Sequence, residues 1–376
     1  MHILWIPHTG WHIPQRAHLF CRALAELHEI HVTDWVADFY HPVDYFSRRY
    51  MRNLTYRQYR DGLIYVHGIP RLSPALYSRT LRRWNTQILS RFVARIIARY
   101  HIEVVVGSFL MPPPVASRVV FDWFDENVLN WRYSSRVPNY ADEIEATEGR
   151  YLQAADEIVV ASSVLGEKAR SLGARGFVHL IPNAVDLQRF NHADSDRLRA
   201  ELKVQGPIVG IVGNHDHAPD VFKLLDAAEA LRDRNLTFLI AGRGAALSEI
   251  QTRAKQAKLH NLRFLGYVPP DQMPDVVAAF DVGLCLYAKT PTNDARSPMR
   301  LLAYAAAGVP AVCTDLSEAR RLAFSNVILI QDDVRSLVEG ILHALQLPHG
   351  QPPQIAEYDI RRLAPQYESV LAGQPV

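Results

Sequence analysis

Short apolar runs recur along the whole chain, each followed by a longer stretch with helical spacing. Near the N-terminus, "HILWIP" predicts a strand, then a loop containing Gly10 and a helix near Gln15 to Leu27, and "EIHVTDWV" a second strand. The segment "SRTLRRWNTQILSRFVARIIARY" places Leu81, Trp84, Ile88, Phe92 and Ile96 on one helical face. Arg79, Arg83, Arg91, Arg95 and Arg99 line another. "IEVVVGS", "RVVFDWF" and "DEIVVASS" are further strands, separated by helical patterns. A second alternating series starts at "IVGIVGNHDH" and runs through "LTFLIAGRG", "LRFLGYV", "DVGLCLY" and "PAVCTD". Strands alternating with helices favour parallel sheets covered by helices, with ligands beyond the carboxyl ends of the strands.

A chain of 376 residues suits two domains. We expect one domain over 1–186, a linker over 187–206, a second domain over 207–355, and a final helix over 356–376. The net charge of +2 gives no overall bias towards nucleic acid. Between Tyr45 and Tyr100, however, twelve arginines face a single acid, Asp61. Such a block suits an anionic membrane surface or an acidic substrate as readily as a solvated face. Cys21, Cys285 and Cys313 are far apart and lack metal-ligand spacing, which suits a reducing compartment. "MHILWIPH" is too short for a signal peptide, and no run approaches the roughly 18 apolar residues of a membrane span. A cytoplasmic protein is expected, peripheral at most to the inner face of the plasma membrane.

The stretch "SPMRLLAYAAAGVPAV" carries the most chemistry. Ser297 reads as a helix N-cap, Pro298 as the first helical residue, and Arg300 lies in the first turn. Unpaired N–H groups, the positive helix end and a guanidinium together suit a phosphate or diphosphate. Read as an ordinary buried helix, the same segment leaves Arg300 at the surface. Gly308 and Pro310 end the helix.

Three segments occur in a fixed order: "IPNAVDLQRF", "NLRFLGYVPPDQMPDVVAAFDVGLCLY" and "SPMRLLAYAAAGVPAV". With "PQRAHLFCRALAELHEIHV" and "VVFDWFDEN…EIEATEGRYLQAADEIVVASSVL" they resemble glycosyltransferases of the GT-B fold, family 4 type. "SPMR" resembles the Ser–Met–Lys run of the subgroup near the xanthan glucuronosyltransferase. The resemblance implies two doubly wound α/β domains facing across a cleft, with the C-terminal helix crossing back onto the N-terminal domain. It also implies a nucleoside-diphosphate sugar as donor, a saccharide or lipid-linked acceptor, and no metal or other cofactor. By the same resemblance, Arg300 takes the place of a diphosphate-contacting Lys, and Tyr267 and Val268 hold the base through backbone groups. Met299 packs near base or ribose, Gly213 and Asn214 face the diphosphate, and Arg243 is a second cation. Where the family has a ribose-binding Glu this chain has Ala303, and the partner Glu falls on Ala295. Asp294, Glu318 and Asn293 are substitutes by proximity in sequence.

In the N-terminal half, "FDWFDEN" puts Asp122 and Asp125 at a strand's carboxyl edge. An inverting transferase needs one base for the acceptor hydroxyl. Asp125 is the expected catalytic base, with Asp122 lining the acceptor cleft or structural. Gly10, His12 and Arg16, in "TGWHIPQR", are the other cleft candidates. "GNHDHAPD" invites a metal reading, but it opens a helix and no further ligand follows at zinc spacing. The rival to a transferase is a GT-B scaffold or regulatory subunit that has lost turnover along with its ribose carboxylates.

Overall fold

The computed structural model describes residues 1–11, 13, 15–35, 48–73, 75, 77–134, 137–215 and 218–374. It divides into two compact units, Met1–Pro182 with Ile360–Val376, and Asn183–Asp359. The stretch 187–206, expected as a linker, is folded into the second unit as two short helices.

The first unit contains β1 (His2–Trp5), α1 (Arg16–Leu24), β2 (Glu29–Asp34), α2 (Arg48–Asn53), β3 (Arg57–Asp61), β4 (Ile64–Gly68) and α3 (Arg79–Tyr100). It continues with β5 (Val104–Gly107), β6 (Arg118–Trp123), α4 (Asn127–Ser134), α5 (Pro138–Ala154), β7 (Glu157–Val160), α6 (Ser163–Ser171) and β8 (Phe177–Leu180). The strands form one sheet in the order β3-β4-β2-β1-β5-β6-β7-β8. All pairs are parallel except the β3–β4 hairpin, which turns at Gly62–Leu63. β1 lies between β2 and β5, so the strand order reverses there and a crevice opens past the ends of β1 and β5.

Burial explains the sequence pattern. β5 and β7 are buried along their whole lengths, as parallel strands covered on both faces must be. In α3 the face differs from the one expected: Leu89, Val93 and Ile96 are buried while Trp84 is 51% exposed. Arg82 shares the buried face because its guanidinium is held bidentately by Glu143 of α5, at 2.8 and 2.9 Å. A charged residue can replace an apolar one on an inward face only when paired in this way.

Two buried imidazoles cross the β2–β4 pair. His31 and His67 are wholly buried and hydrogen-bonded at 2.8 Å, Glu29 binds the outer nitrogen of His31 at 2.8 Å, and Tyr56 meets His67 at 2.7 Å. Burial drives the pKa of His67 down to about 4, so it is neutral in the folded chain. An unfolded His titrates near 6.5, and the unfolded state therefore takes up the proton first as pH falls. The stability this site contributes is complete above about pH 6.5 and drains away between about pH 6.5 and 4. We expect thermal midpoints to drop over that window, and His67→Phe to flatten the drop. An unaltered slope in the variant would assign the acid sensitivity elsewhere.

The second unit begins with α7 (Leu187–Asn191), α8 (Ser195–Leu202), β9 (Ile208–Asn214), α9 (Ala218–Ala230), β10 (Thr237–Arg243), α10 (Leu247–Gln256) and β11 (Leu262–Gly266). It then runs through α11 (Met273–Ala278), β12 (Val282–Cys285), α12 (Pro291–Asp294), α13 (Met299–Ala306), β13 (Ala311–Thr314), α14 (Ser317–Leu322), β14 (Val327–Ile330) and α15 (Val334–Ala344). Its six strands are ordered β11-β10-β9-β12-β13-β14, all parallel, the arrangement of a Rossmann sheet. The reversal lies between β9 and β12. The final helix, α16 (Ile360–Ala372), belongs to the first unit, where Tyr367 packs on Trp5 and Phe20 at ring distances of 5.1 and 4.8 Å.

Candidate active site

In the second unit the site forms at the carboxyl ends of β9 and β12. Gly213, the penultimate residue of β9, has φ of +128°, and a Cβ placed there would sit 3.1 Å from the Arg300 Nε. Arg300 therefore lies directly over a backbone with no side chain, and its Nη2 donates to the Asn214 carbonyl at 3.2 Å. Gly242, at the corresponding point of β10, has φ of +133°, and a Cβ there would overlap the Gly213 carbonyl. His215 ties the two strand ends together. Its backbone N–H donates to the Arg243 carbonyl at 2.8 Å, and its Nε2 lies 3.0 Å from the Ala241 carbonyl. Ala would be strained at either glycine, so these residues shape the turn rather than merely fill it.

Helix α13 starts at Met299 with Pro298 at the cap position, one residue later than expected. Ser297 is not the cap. Its hydroxyl accepts from the Asn183 N–H at 3.2 Å and its carbonyl accepts from the Asn183 side chain at 2.8 Å, which anchors the approach to the helix. The helix start carries no side-chain cap and no acid in its first turn. Such an end is positive and unneutralised by its own residues. Tyr287, after β12, lies under two guanidiniums, Arg300 at 5.5 Å and Arg296 at 5.6 Å. Burial pushes the Tyr287 hydroxyl up to about 12, against the pull of Arg300, so it stays protonated and able to donate. Arg296 and Tyr287 were not singled out from the sequence; the four-residue spacing of Arg296 from Arg300 was the available signal.

The other expected donor residues are spread around this centre. Arg243 stacks on Tyr267 at 4.9 Å, and Tyr267 is 55% exposed. Val268 is buried in the core beneath, and Met299 is exposed. Ala303 is partly buried one turn beyond Arg300, and Ala295 is buried. None of the proposed carboxylate substitutes is left idle. Asp294 accepts from both the N–H and the hydroxyl of Ser317 at 2.7 Å. Glu318 is buried against Arg321 at 2.7 Å, and the Asn293 amide bridges Arg296 and the Ala288 carbonyl. The ring of groups around Gly213 is therefore cationic and backbone-rich.

Arg16 and Asp122, both cleft candidates, line the crevice past the ends of β1 and β5 and are paired there, 2% and 5% exposed. The Arg16 Nε lies 3.1 and 3.2 Å from the two Asp122 oxygens, and its other nitrogens donate to the carbonyls of Pro182 and Ile181. Phe20 stacks against the guanidinium at 4.7 Å. Gly10 is buried in the loop after β1, its carbonyl accepting from the Ile13 N–H at 3.0 Å. His12 lies outside the described residues. Asp125 is partly buried just past β6, where its carbonyl accepts from both the N–H and the side chain of Asn127 at 3.0 Å. His8, which sequence reasoning passed over, lines the crevice at the ends of β1 and β5 with Thr9, Gln15, Ser108, Asp122 and Phe124. Its ring meets Phe124 at 4.6 Å, and burial lowers its pKa to about 4, leaving a neutral imidazole. Among the described residues no group of three His, Cys, Asp or Glu side chains is placed to hold a metal ion. No helix among them is long and apolar enough to cross a membrane.

Residues 206–347 match the model of the family described as Glycosyl transferases group 1. The match lies within the second unit, the one that carries Arg300 and Gly213. Over 183 residues it is 28% identical to a candidate teichuronic acid biosynthesis glycosyltransferase of Bacillus subtilis (strain 168), covering 48% of this chain and 45% of that protein. Over 215 residues it is 29% identical to a candidate colanic acid biosynthesis glycosyl transferase of Escherichia coli (strain K12), covering 54% and 53%. The chain thus spans about half the length of the curated relatives it matches. Among solved structures, sucrose-phosphate synthase of Thermosynechococcus elongatus superposes over 100% of both chains, with a TM-score of 0.77 at 14% identity. An Anabaena protein solved with UDP and glucose matches at a TM-score of 0.67 and 16% identity, over 99% of this chain and 100% of that one. These likenesses establish the GT-B fold, two Rossmann-like domains, for this chain.

Proposed function

We propose that the protein transfers a sugar from a nucleoside-diphosphate sugar to a hydroxyl of a polysaccharide or lipid-linked cell-envelope acceptor. The observation that carries this reading is the placement of Arg300 over Gly213 beside the uncapped start of α13, at the strand-order reversal of a Rossmann sheet. A diphosphate bound there meets a guanidinium fork, free helix donors and a side-chain-free strand end at once. As the sugar–phosphate bond breaks, charge grows on the leaving diphosphate, and these groups stabilise it without a metal ion. The Anabaena protein of the same fold was solved with UDP, which makes uridine the first base to test.

On this reading the missing ribose carboxylates are not replaced by another free acid. The base and sugar rest on Tyr267, on Met299 and on backbone groups around Val268, and the diphosphate supplies most of the binding. The base that takes the acceptor proton is Asp125, at the end of β6.

Thermal-shift measurements with UDP, GDP, dTDP and their sugars test the donor site. At least one diphosphate is expected to raise the midpoint by several degrees; a chain indifferent to every nucleotide would be a scaffold and not a transferase. Asp125→Asn is expected to lower turnover by roughly 10²- to 10⁴-fold while leaving nucleotide binding intact. Unchanged turnover would move the proton to another group, and His8 would be the next to replace.

A further inference from the structure

A sizeable cavity lies in the first unit and plays no part in the donor site. It is a groove of about 730 Å³ lined by the N-terminal half of α3, by α5 and by the segments after β4 and β5. That volume suits a ligand well beyond a single ion. Its floor is apolar, formed by Ile69, Leu89, Phe109, Leu110 and Ile144, with Trp35 at the edge. Its walls carry five guanidiniums, Arg71, Arg79, Arg82, Arg83 and Arg150, against the two carboxylates of Asp142 and Glu143.

The cations are not there for the fold alone. α3 has no acid in its first turn, yet Arg79, Arg82 and Arg83 occupy its first turns, where the helix end is already positive. Glu143 answers two of them, Arg82 bidentately and Arg79 at 3.4 Å. Asp142 is engaged by Arg132 at 3.2 Å. Arg83 and Arg150 are exposed, and no hydrogen bond or ion pair of theirs occurs among the described residues. Two guanidiniums over an apolar floor, beside a positive helix end, are complementary to an anion attached to a hydrocarbon chain.

We propose that this groove binds a phosphorylated amphiphile. Its phosphate or diphosphate sits on Arg83 and Arg150 near the start of α3, and its apolar tail lies along Leu89, Phe109 and Leu110. This deepens the transferase reading by giving the acceptor a class, a sugar or alcohol borne on a lipid phosphate. Only the word acceptor rests on that reading; the binding does not.

Isothermal titration of the full chain with dodecyl phosphate, glucose 1-phosphate and dodecyl maltoside separates the sources of affinity. Dodecyl phosphate is expected to bind at least 30-fold more tightly than either half-probe. Arg83→Ala and Arg150→Ala should each weaken it about tenfold, while Arg91→Ala, an exposed arginine of α3 outside the groove, should leave it within twofold. Equal binding of glucose 1-phosphate would reduce the site to a water-soluble phosphate site and overturn the proposal. Absence of dodecyl phosphate binding, or binding indifferent to Arg83 and Arg150, would also overturn it. UDP thermal shifts on the same samples keep the two readings apart. A chain that binds dodecyl phosphate but no nucleotide loses the transferase reading alone, and one that binds UDP but no dodecyl phosphate loses this one alone.

Discussion

Arg16→Ala is expected to destabilise the first unit by about 3–5 kcal/mol, the usual cost of removing one partner from a buried ion pair. The substitution strands the Asp122 carboxylate in the interior and leaves the carbonyls of Ile181 and Pro182 without their donor. Burial already raises the Asp122 pKa, and the Arg16 charge is the main force opposing it. Without that charge, Asp122 takes up a proton in the folded state more readily than in the unfolded one. The folded state then gains as pH falls, so the penalty should shrink on acidification. Denaturation followed by tryptophan emission reports on this directly, because Trp5 and Trp123 are buried in the same sheet. A double replacement, Arg16→Met with Asp122→Leu, should recover much of the loss, since it removes both buried charges. If Arg16→Ala left stability within about 0.5 kcal/mol while turnover fell, Arg16 would act on a ligand in the cleft rather than hold the fold.

Arg300→Ala carries the largest expected effect on ligand binding. Charge-assisted hydrogen bonds of about 1.5–3 kcal/mol are lost, so affinity for a nucleoside diphosphate should fall roughly 10- to 100-fold. Stability should hardly change, because Arg300 is only partly buried. Arg300→Lys should restore part of the affinity, as a point charge without the planar fork. Gly213→Ala should resemble Arg300→Ala in binding, since the added methyl meets the guanidinium and the backbone is at φ of +128°. Titration of UDP into each variant decides the matter. Equal affinity of Arg300→Ala and the parent chain would remove the diphosphate from α13.

The strand and helix pattern was legible because burial on both faces of a parallel sheet writes itself as short apolar runs. The all-parallel second sheet followed from the same alternation, and "SPMRLLAYAAAGVPAV" did mark a helix start with an unneutralised positive end. Other features were misplaced by one step. Ser297 is a good N-cap residue type, yet a competing partner, Asn183, takes its hydroxyl from 114 positions away. In α3 the apolar stripe was broad enough to rotate, and Glu143 on α5 decided that Arg82 would face inward.

What the sequence determined by itself was local: two α/β series, a helix built to face an anion, and an arginine-rich N-terminal region with a single acid of its own. Only the tertiary structure decided which charges are spent. Arg16 and Asp122 stand 106 residues apart and cancel one another inside the first unit, whereas Arg83 and Arg150 meet no such partner among the described residues. Ala303 shows the same division. The sequence revealed that a carboxylate was missing, but only the hydrogen bonds of Asp294, Glu318 and Asn293 showed that no neighbouring acid was left idle to replace it. Periodicity along a chain reports how much of an element is buried. Which polar group meets which is fixed by contacts between distant segments, and those exist only once the chain has folded.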